Sequence, residues 1–294
     1  MRALVFGADG FIGRNVCAAL EHDYDVIRAT QDILSGVVNN VQVDLLDQES
    51  IKKVLDGEKP DVIINCAGIV NANSDTDLNL QFTKNIVEQV ANVDTEIEVV
   101  ICGSAGEYGR VSPENIPVRE DAPLNADSGY GLSKLKEEKY ALEYGKEHGI
   151  KVIVLRIFNP IGKDMADQFM TMRLVKQVRE FRSGIRDSIE VTRLDSKRDY
   201  ISIKDVASAF KAIVDGSPKY SVYNVGSGVS TTNKELMDLL LKNSNLDNMP
   251  RVKETSNEAE QLVAVCADIS RISNEFGWHP THQIEEVIKE ICEV

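Results

Sequence analysis

The sequence predicts an α/β fold: a doubly wound parallel sheet with a smaller mixed α/β lobe after it. Three observations predict this. A strand, a glycine turn and a helix follow one another in Met1–Gly13, MRALVFGADGFIG. Short apolar runs then alternate with amphipathic stretches of about 10–15 residues, the rhythm of a parallel sheet with covering helices. That rhythm breaks after Asn159, where shorter and more irregular pieces begin.

The elements follow in order. Ala3–Phe6 is apolar without polar alternation, as in a strand buried on both faces. Gly7, Gly10 and Gly13 come next at spacing three and three, with an amphipathic helix starting at Phe11. This context suits a dinucleotide: Gly7 for the tight turn, Gly10 for backbone approach to a pyrophosphate, Gly13 for close helix–strand packing. The free N–H groups and positive dipole end of the helix then face the phosphates. Strands are read at Asp25–Ala29, Val41–Val43, Asp61–Asn65, Glu98–Cys102 and Lys151–Ile157. Helices are read at Gln48–Leu55, Leu78–Val93 and Tyr130–His148, the last stopped at Gly149. The second half reads as a helix at Asp167–Phe181, a short piece at Ile189–Arg193 and a helix at Lys204–Val214. A strand at Val222–Val225 and helices at Asn233–Leu241, Asp268–Phe276 and Gln283–Ile291 complete it. Residues 1–158 are expected to form the dinucleotide-binding domain and 159–294 the substrate lobe. The strand near 222–225 returns to the first sheet, so the two interleave.

Bulk properties narrow the function. A net charge of −14 argues against nucleic-acid or anionic-membrane partners. No apolar run approaches the roughly 20 residues needed to span a bilayer, and Arg2 is followed by only four apolar residues, too few for a signal peptide. Cys17, Cys66, Cys102, Cys266 and Cys292 form no CxxC pair and are odd in number, which suits reduced thiols in a cytoplasmic protein. His22, His148, His279 and His282 show no ligand spacing, and no metal site is expected.

Three side chains carry the chemistry. Tyr130 and Lys134 lie four apart on a predicted helix and project from one face. A phenol titrates near pH ~10, and a nearby ammonium lowers that value. Lys134 can also donate to ribose hydroxyls. Ser104 follows the fifth strand, where a hydroxyl faces the ligand crevice of such a sheet. Each has an ordinary alternative: a solvated helical pair, and a turn serine.

Several motifs stand together in order: Gly7-Ala8-Asp9-Gly10-Phe11-Ile12-Gly13, Asn65-Cys66-Ala67-Gly68, Ser104 with Tyr108-Gly109, and Tyr130-Gly131-Leu132-Ser133-Lys134. Glu120-Asp121-Ala122-Pro123, the Arg156–Gly162 segment, Arg198-Asp199-Tyr200, Tyr223-Asn224-Val225-Gly226 and Phe276-Gly277-Trp278-His279-Pro280 follow the same order. The chain resembles the extended short-chain dehydrogenase/reductase family, its NAD-dependent epimerase/dehydratase group, over nearly its whole length. The resemblance implies a Rossmann sheet and a nucleotide-sugar substrate. It makes Ser104, Tyr130 and Lys134 catalytic. Cofactor contacts would come from Gly7, Asp9, Gly10, Phe11, Ile12, Gly13, Arg14, Thr30, Asp44, Leu45, Cys66, Ala67, Gly68, Tyr130, Lys134 and Ile157. Ser104, Ala105, Tyr130, Asn159 and Arg198 would hold the substrate, with Asn159 and Arg198 on its phosphates. The alternative for Arg198 is an ion pair with Asp195 or Asp199. Asn79 resembles a helix asparagine that shapes the active site, or is a plain solvated residue.

Within the group, Ala105 and Gly106 replace the acidic residues of 4,6-dehydratases and the cysteine of epimerase–reductases, and Glu107 reads as structural. This leaves 4-keto reduction or 4-epimerisation. The Gly103–Gly109 and Phe158-Asn159 segments look most like reductases of GDP-4-keto-6-deoxymannose. Asn257-Glu258-Ala259-Glu260-Gln261 lacks an arginine usual in them, which leaves the base open. The expected activity is NAD(P)H-dependent reduction of a 4-keto-6-deoxy sugar nucleotide, with Tyr130 as proton donor. The alternatives are a 4-epimerase with retained NAD and a non-catalytic dinucleotide-binding regulator. Thr30, a neutral residue at the end of the second strand, favours NADP, with Arg14 and Arg28 as phosphate partners; Asp32 serves NAD if the register slips by two. A homodimer through the helices at 78–93 and 130–148 is implied by the resemblance. Leu135, Tyr140, Ala141 and Tyr144 supply either that face or core.

Overall fold

Strand β1 (Arg2–Phe6) explains its own apolar run. Side chains alternate across a strand. Ala3 and Val5 pack with Val16, Cys17 and Leu20 on one side of the sheet, and Leu4 and Phe6 with Ile51, Ile86 and Val87 on the other. The computed structural model describes residues 1–70, 77–93, 96–255 and 264–293.

Helix α1 (Phe11–Leu20) leads from β1 to β2 (Asp25–Thr30) and β3 (Asn40–Gln42). Helix α2 (Gln48–Glu58), β4 (Val62–Asn65), α3 (Asp77–Val90), β5 (Glu98–Ser104), α4 (Gly129–His148) and β6 (Val152–Ile157) follow. The second half contributes β7 (Asn159–Ile161), α5 (Met170–Arg182), β8 (Ser188–Val191), β9 (Lys197–Ser202), α6 (Ile203–Asp215) and β10 (Val222–Val225). Then come β11 (Ser230–Thr232), α7 (Asn233–Lys242), β12 (Arg251–Glu254), α8 (Ser270–Phe276) and α9 (Ile284–Cys292).

Seven parallel strands form the central sheet in the order β10-β6-β5-β4-β1-β2-β3. This is the doubly wound sheet the sequence predicts. Helices α1 and α6 cover one face, and α2, α3 and α4 the other. Strand order reverses between β1 and β4, so their carboxyl ends bound the ligand crevice of such a sheet. Strand β10 pairs with β6 (Val222↔Val154 to Val225↔Ile157), so the chain does return to the first sheet.

The remaining pieces pack beside that crevice. Strands β11-β9-β7 form a small sheet, and β8 pairs with β12. Leu174 and Val178 of α5, Leu236 and Leu240 of α7 and Ile288 of α9 close over them. Phe11, at the start of α1, packs against both this cluster and the central core.

The structure adjusts several elements. The third strand starts at Asn40, one residue before the sequence reading, because Asn40 pairs with Arg28 and its Nδ2 donates to Arg28 O at 3.0 Å. Helix α8 starts at Ser270, whose N–H is capped by Asp268 Oδ1 at 2.8 Å. Strands β7, β9, β11 and β12 are additions. Of the four positions read as dimer face or core, Ala141 and Leu135 are buried in the monomer, while Tyr140 and Tyr144 are half-buried. The segment at 257–261 lies outside the described residues. Among the described residues, no helix is long and apolar enough to cross a membrane, and no cluster could hold a metal ion.

Candidate active site

The glycine turn is built by close contacts. Gly7 ends β1 at φ 69°, and a Cβ there would lie 2.6 Å from Ala67 N. A Cβ on Gly13 would stand 2.1 Å from Gly7 O, so α1 rests directly on the turn. Gly10 is the N-cap without a side-chain cap bond, and the first turn of α1 has no acidic residue. Uncapped N–H groups and a positive dipole end therefore lie at the carboxyl end of β1. This arrangement fits the pyrophosphate of a dinucleotide. Asp9 is exposed, and Phe11, Ile12 and Arg14 are half-buried.

Opposite stands the segment after β4. Cys66 and Ala67 are half-buried and Gly68 exposed. Asn79 is buried, and its side chain clamps Ile69, accepting from Ile69 N at 2.8 Å and donating to Ile69 O at 3.1 Å. It is not a solvated helix residue. Ile157 is buried at the end of β6.

The adenosine end departs from the sequence reading. Thr30 is buried; its hydroxyl donates to Asp32 O at 2.5 Å and accepts from Asn40 Nδ2 at 2.9 Å. Arg28 is ion-paired with Glu21. Arg14 donates to Asp164 O at 2.7 Å. Thr30, Arg28 and Arg14 thus each already have a protein partner. Asp32 is exposed just beyond β2. Asp44 is exposed, with Oδ1 accepting from Leu46 N at 2.9 Å, and Leu45 is half-buried.

Ser104 ends β5 and starts a short 3-10 turn, Ala105–Tyr108. Its Oγ accepts from Gly106 N at 3.1 Å, and its own N–H donates to Glu107 Oε1 at 2.6 Å. Glu107 is buried as the far half of this capping box, the structural role read from sequence. Helix α4 docks on the same turn: a Cβ on Gly131 would meet Gly106 O at 2.4 Å. That docking sets the half-buried Tyr130 beside Ser104, both side chains lying against Gly106. Burial pushes the Tyr130 phenol up to about 12; Lys134 pulls it down, Cys102 and Glu137 push it up, and Ser104 pulls it down. The phenol is therefore protonated at neutral pH. Burial opposes charge on Lys134, yet the Glu137 carboxylate raises its pKa and keeps it an ammonium. Ala105 is half-buried beside Ser104.

On the substrate side, Asn159 Nδ2 donates to Asp199 O at 2.9 Å. Arg198 is half-buried, and its guanidinium pulls the Tyr200 phenol down against the larger upward push of burial. It pairs with neither acid weighed against it. Asp195 sits 3.3 Å from Arg193, and the Asp199 carboxylate accepts from Ser227 N (2.7 Å), Ser227 Oγ (2.6 Å), Gly228 N (3.0 Å) and Ala267 N (3.0 Å).

Arg156, which opens the Arg156–Gly162 motif, is buried and points inward. Its Nε and Nη2 meet the Glu138 carboxylate at 2.9 and 2.5 Å, and Nη1 donates to Tyr108 Oη at 2.9 Å. Burial and the adjacent Glu138 push Glu107 well up, while Arg156 holds Glu138 below its ordinary value against the pull of burial. Arg156→Met leaves Glu138 buried without its cation. Chemical denaturation is expected to show a loss of about 3–5 kcal/mol.

Sequence reasoning missed Glu137. It lies three residues after Lys134, and that spacing on one helix face was the available signal.

A profile of the NAD dependent epimerase/dehydratase family matches residues 3–226. The chain is 27% identical over 300 residues to the GDP-6-deoxy-D-mannose reductase of Pseudomonas aeruginosa, covering 99% of this chain and 95% of that protein. It is 28% identical over 318 residues to the UDP-glucose 4-epimerase of Azospirillum brasilense, covering 96% and 88%. The structure of RMD from Pseudomonas aeruginosa complexed with NADPH aligns with a TM-score of 0.86 at 25% identity, over 100% of this chain and 98% of that one. UDP-glucose 4-epimerase from Thermotoga maritima, solved with UDP-glucose, shares the fold with a TM-score of 0.85 at 22% identity, over 100% and 98%.

Proposed function

The chain belongs to the NAD dependent epimerase/dehydratase family, and from that premise we propose that it reduces a nucleotide-linked 4-keto-6-deoxy sugar. The family uses NAD(P), and relatives of this chain act on nucleotide sugars. The observation that carries the reading is the docking of α4 on the turn after Ser104, which sets Tyr130 beside Ser104 with Lys134 one helical turn further on. Bound NAD(P)H would supply the hydride to C4. Tyr130 gives its proton to the oxygen that becomes anionic, as a general acid. Ser104 hydrogen-bonds the same oxygen and stabilises its developing charge. Lys134 keeps ammonium hydrogens free for ribose hydroxyls, since only one is needed for Glu137. Asn159 and Arg198 would hold the diphosphate. Water removal has no acid to perform it, because Ala105 and Gly106 follow Ser104 and Glu107 is buried.

The GDP-6-deoxy-D-mannose reductase relative makes a GDP-linked sugar the first substrate to test. NADPH is the first coenzyme, because Thr30 brings no charge to the end of β2 and the similar Pseudomonas aeruginosa structure was solved with NADPH. Exposed Asp32 makes NADH the second. We read the enzyme as a cytoplasmic homodimer through α3 and α4. Incubation with a GDP-4-keto-6-deoxy sugar is expected to consume NADPH stoichiometrically, seen as loss of the reduced-nicotinamide band. No loss with NADPH or NADH removes the reductase reading for that substrate.

The UDP-glucose 4-epimerase relative favours a second reading, a nucleotide-sugar 4-epimerase. Purified protein carrying tightly bound NAD would support it. Tight dinucleotide binding without turnover on any sugar nucleotide would instead point to a regulator.

A further inference from the structure

Lys134 and Glu137 share the inward face of α4, and both are buried, 4% and 1% exposed. Lys134 Nζ donates to Glu137 Oε2 at 2.5 Å. The other carboxylate oxygen accepts from Thr83 Oγ1 of α3 at 2.7 Å. Thr83 Oγ1 accepts from Asn65 Nδ2 at 2.8 Å, and Asn65 Oδ1 accepts from Ala67 N at 3.1 Å. A buried chain of hydrogen bonds thus runs from the ammonium to the backbone packed against Gly7. The next residue, Glu138, faces a different partner, Arg156.

We propose that Glu137 is a positioning residue of this site: anchored by Thr83, its carboxylate fixes the Lys134 ammonium and offsets its charge, so that Tyr130 serves as a proton donor rather than a proton acceptor. This rests on the reading of Tyr130 as the donor in ketone reduction. An ammonium alone favours the phenolate, while a carboxylate against that ammonium cancels most of its field at the phenol. At neutral pH the other groups facing the pair add little charge: burial pushes the Cys102 thiol on β5 up to about 11 and Cys66 after β4 well above its ordinary value. Cys102 loses its proton below the Tyr130 midpoint and adds its own upward push there, in the variant as in the unsubstituted chain. Glu107 is pushed well up by burial and Glu138, and Glu138 is balanced by Arg156. Burial pushes the Glu137 carboxyl up, while the Lys134 ammonium and the Thr83 hydroxyl pull it back down. Lys134 and Glu137 thus form the ion pair that acts on Tyr130.

The test is Glu137→Gln, which keeps the side chain's shape and an acceptor for Thr83 but removes the charge. Tyr130 is followed by the near-ultraviolet tyrosinate band of the full chain without substrate. Its signal is the difference between each protein and the same protein carrying Tyr130→Phe. Losing an anionic neighbour favours the phenolate, so the Tyr130 midpoint is expected to fall by about one pH unit or more in Glu137→Gln. The alkaline limb of kcat for ketosugar reduction is expected to move down with it, with KM little changed. Glu137→Asp, which keeps the charge, is expected to hold the midpoint near the unsubstituted value. If Glu137→Gln does not fold, Thr83→Val takes its place, with a smaller fall expected. A Tyr130 midpoint that stays put in the folded variant overturns the proposal. Absence of ketosugar reduction by the unsubstituted enzyme overturns the reductase reading alone, because the optical titration needs no substrate.

Discussion

Tyr130→Phe is expected to lower ketosugar turnover by about a hundred- to ten-thousand-fold, the range for loss of a positioned general acid. Coenzyme binding should change little. The ring stays, so the packing of the first turn of α4 on the turn that follows Ser104 survives. Only the phenolic oxygen is lost, and with it the proton that neutralises the forming alkoxide. Ser104 still stabilises the developing anion. Steady-state kinetics with NADPH, alongside coenzyme titration by fluorescence, separates the two effects. Turnover close to that of the unsubstituted enzyme would show that the proton comes from elsewhere and end the assignment of Tyr130.

Gly13→Ala is the second large effect expected. The added methyl would stand 2.1 Å from Gly7 O, a backbone atom that cannot turn aside. Helix α1 must lift off the turn, carrying its N–H groups away from where the pyrophosphate would lie. Overpacking of this kind costs about 1–3 kcal/mol. If that cost fell wholly on binding it would weaken coenzyme affinity roughly 5- to 150-fold, each ~1.4 kcal/mol being a factor of ten. Thermal unfolding and NADPH titration report the two shares. Gly57→Ala in α2 is the control, because its new methyl meets nothing within 4 Å. There the helix is expected to gain about 0.5–1 kcal/mol. An unchanged NADPH affinity in Gly13→Ala would mean that α1 does not hold the coenzyme.

The central sheet was legible because parallel strands buried on both faces must be continuous apolar runs, as in VIIN of β4 and VIVLRI of β6. The small strands were not. β9 reads Lys-Arg-Asp-Tyr-Ile-Ser, and Asp199 is buried there only because four donors from distant loops meet its carboxylate. β12 reads Arg-Val-Lys-Glu and is largely exposed, so no pattern marks it. In the site, the glycines announce themselves by spacing and Ser104, Tyr130 and Lys134 by order. Partners of the charged groups do not. Arg14 meets a carbonyl 150 positions away, and Arg156 turns inward because Glu138 and Tyr108 await it. Glu137 is one of several acids on a charged helix, and only the fold brings it Lys134 on its own face and Thr83 from a neighbouring helix.

The pairing of β10 with β6 governs how the chain can come into being. β6 is buried along its whole length, and one of its two hydrogen-bonding edges is paired with β10, Ser221 O also accepting from Val154 N at 2.8 Å. While a ribosome is still making the second lobe, the six earlier strands present that apolar edge bare, a template for pairing with another nascent copy. Closing the edge requires contacts between residues far apart in the chain, which form slowly. A gene fragment ending after β6 is therefore a poor source of an isolated coenzyme-binding module. One extended past Val225 caps the sheet before release.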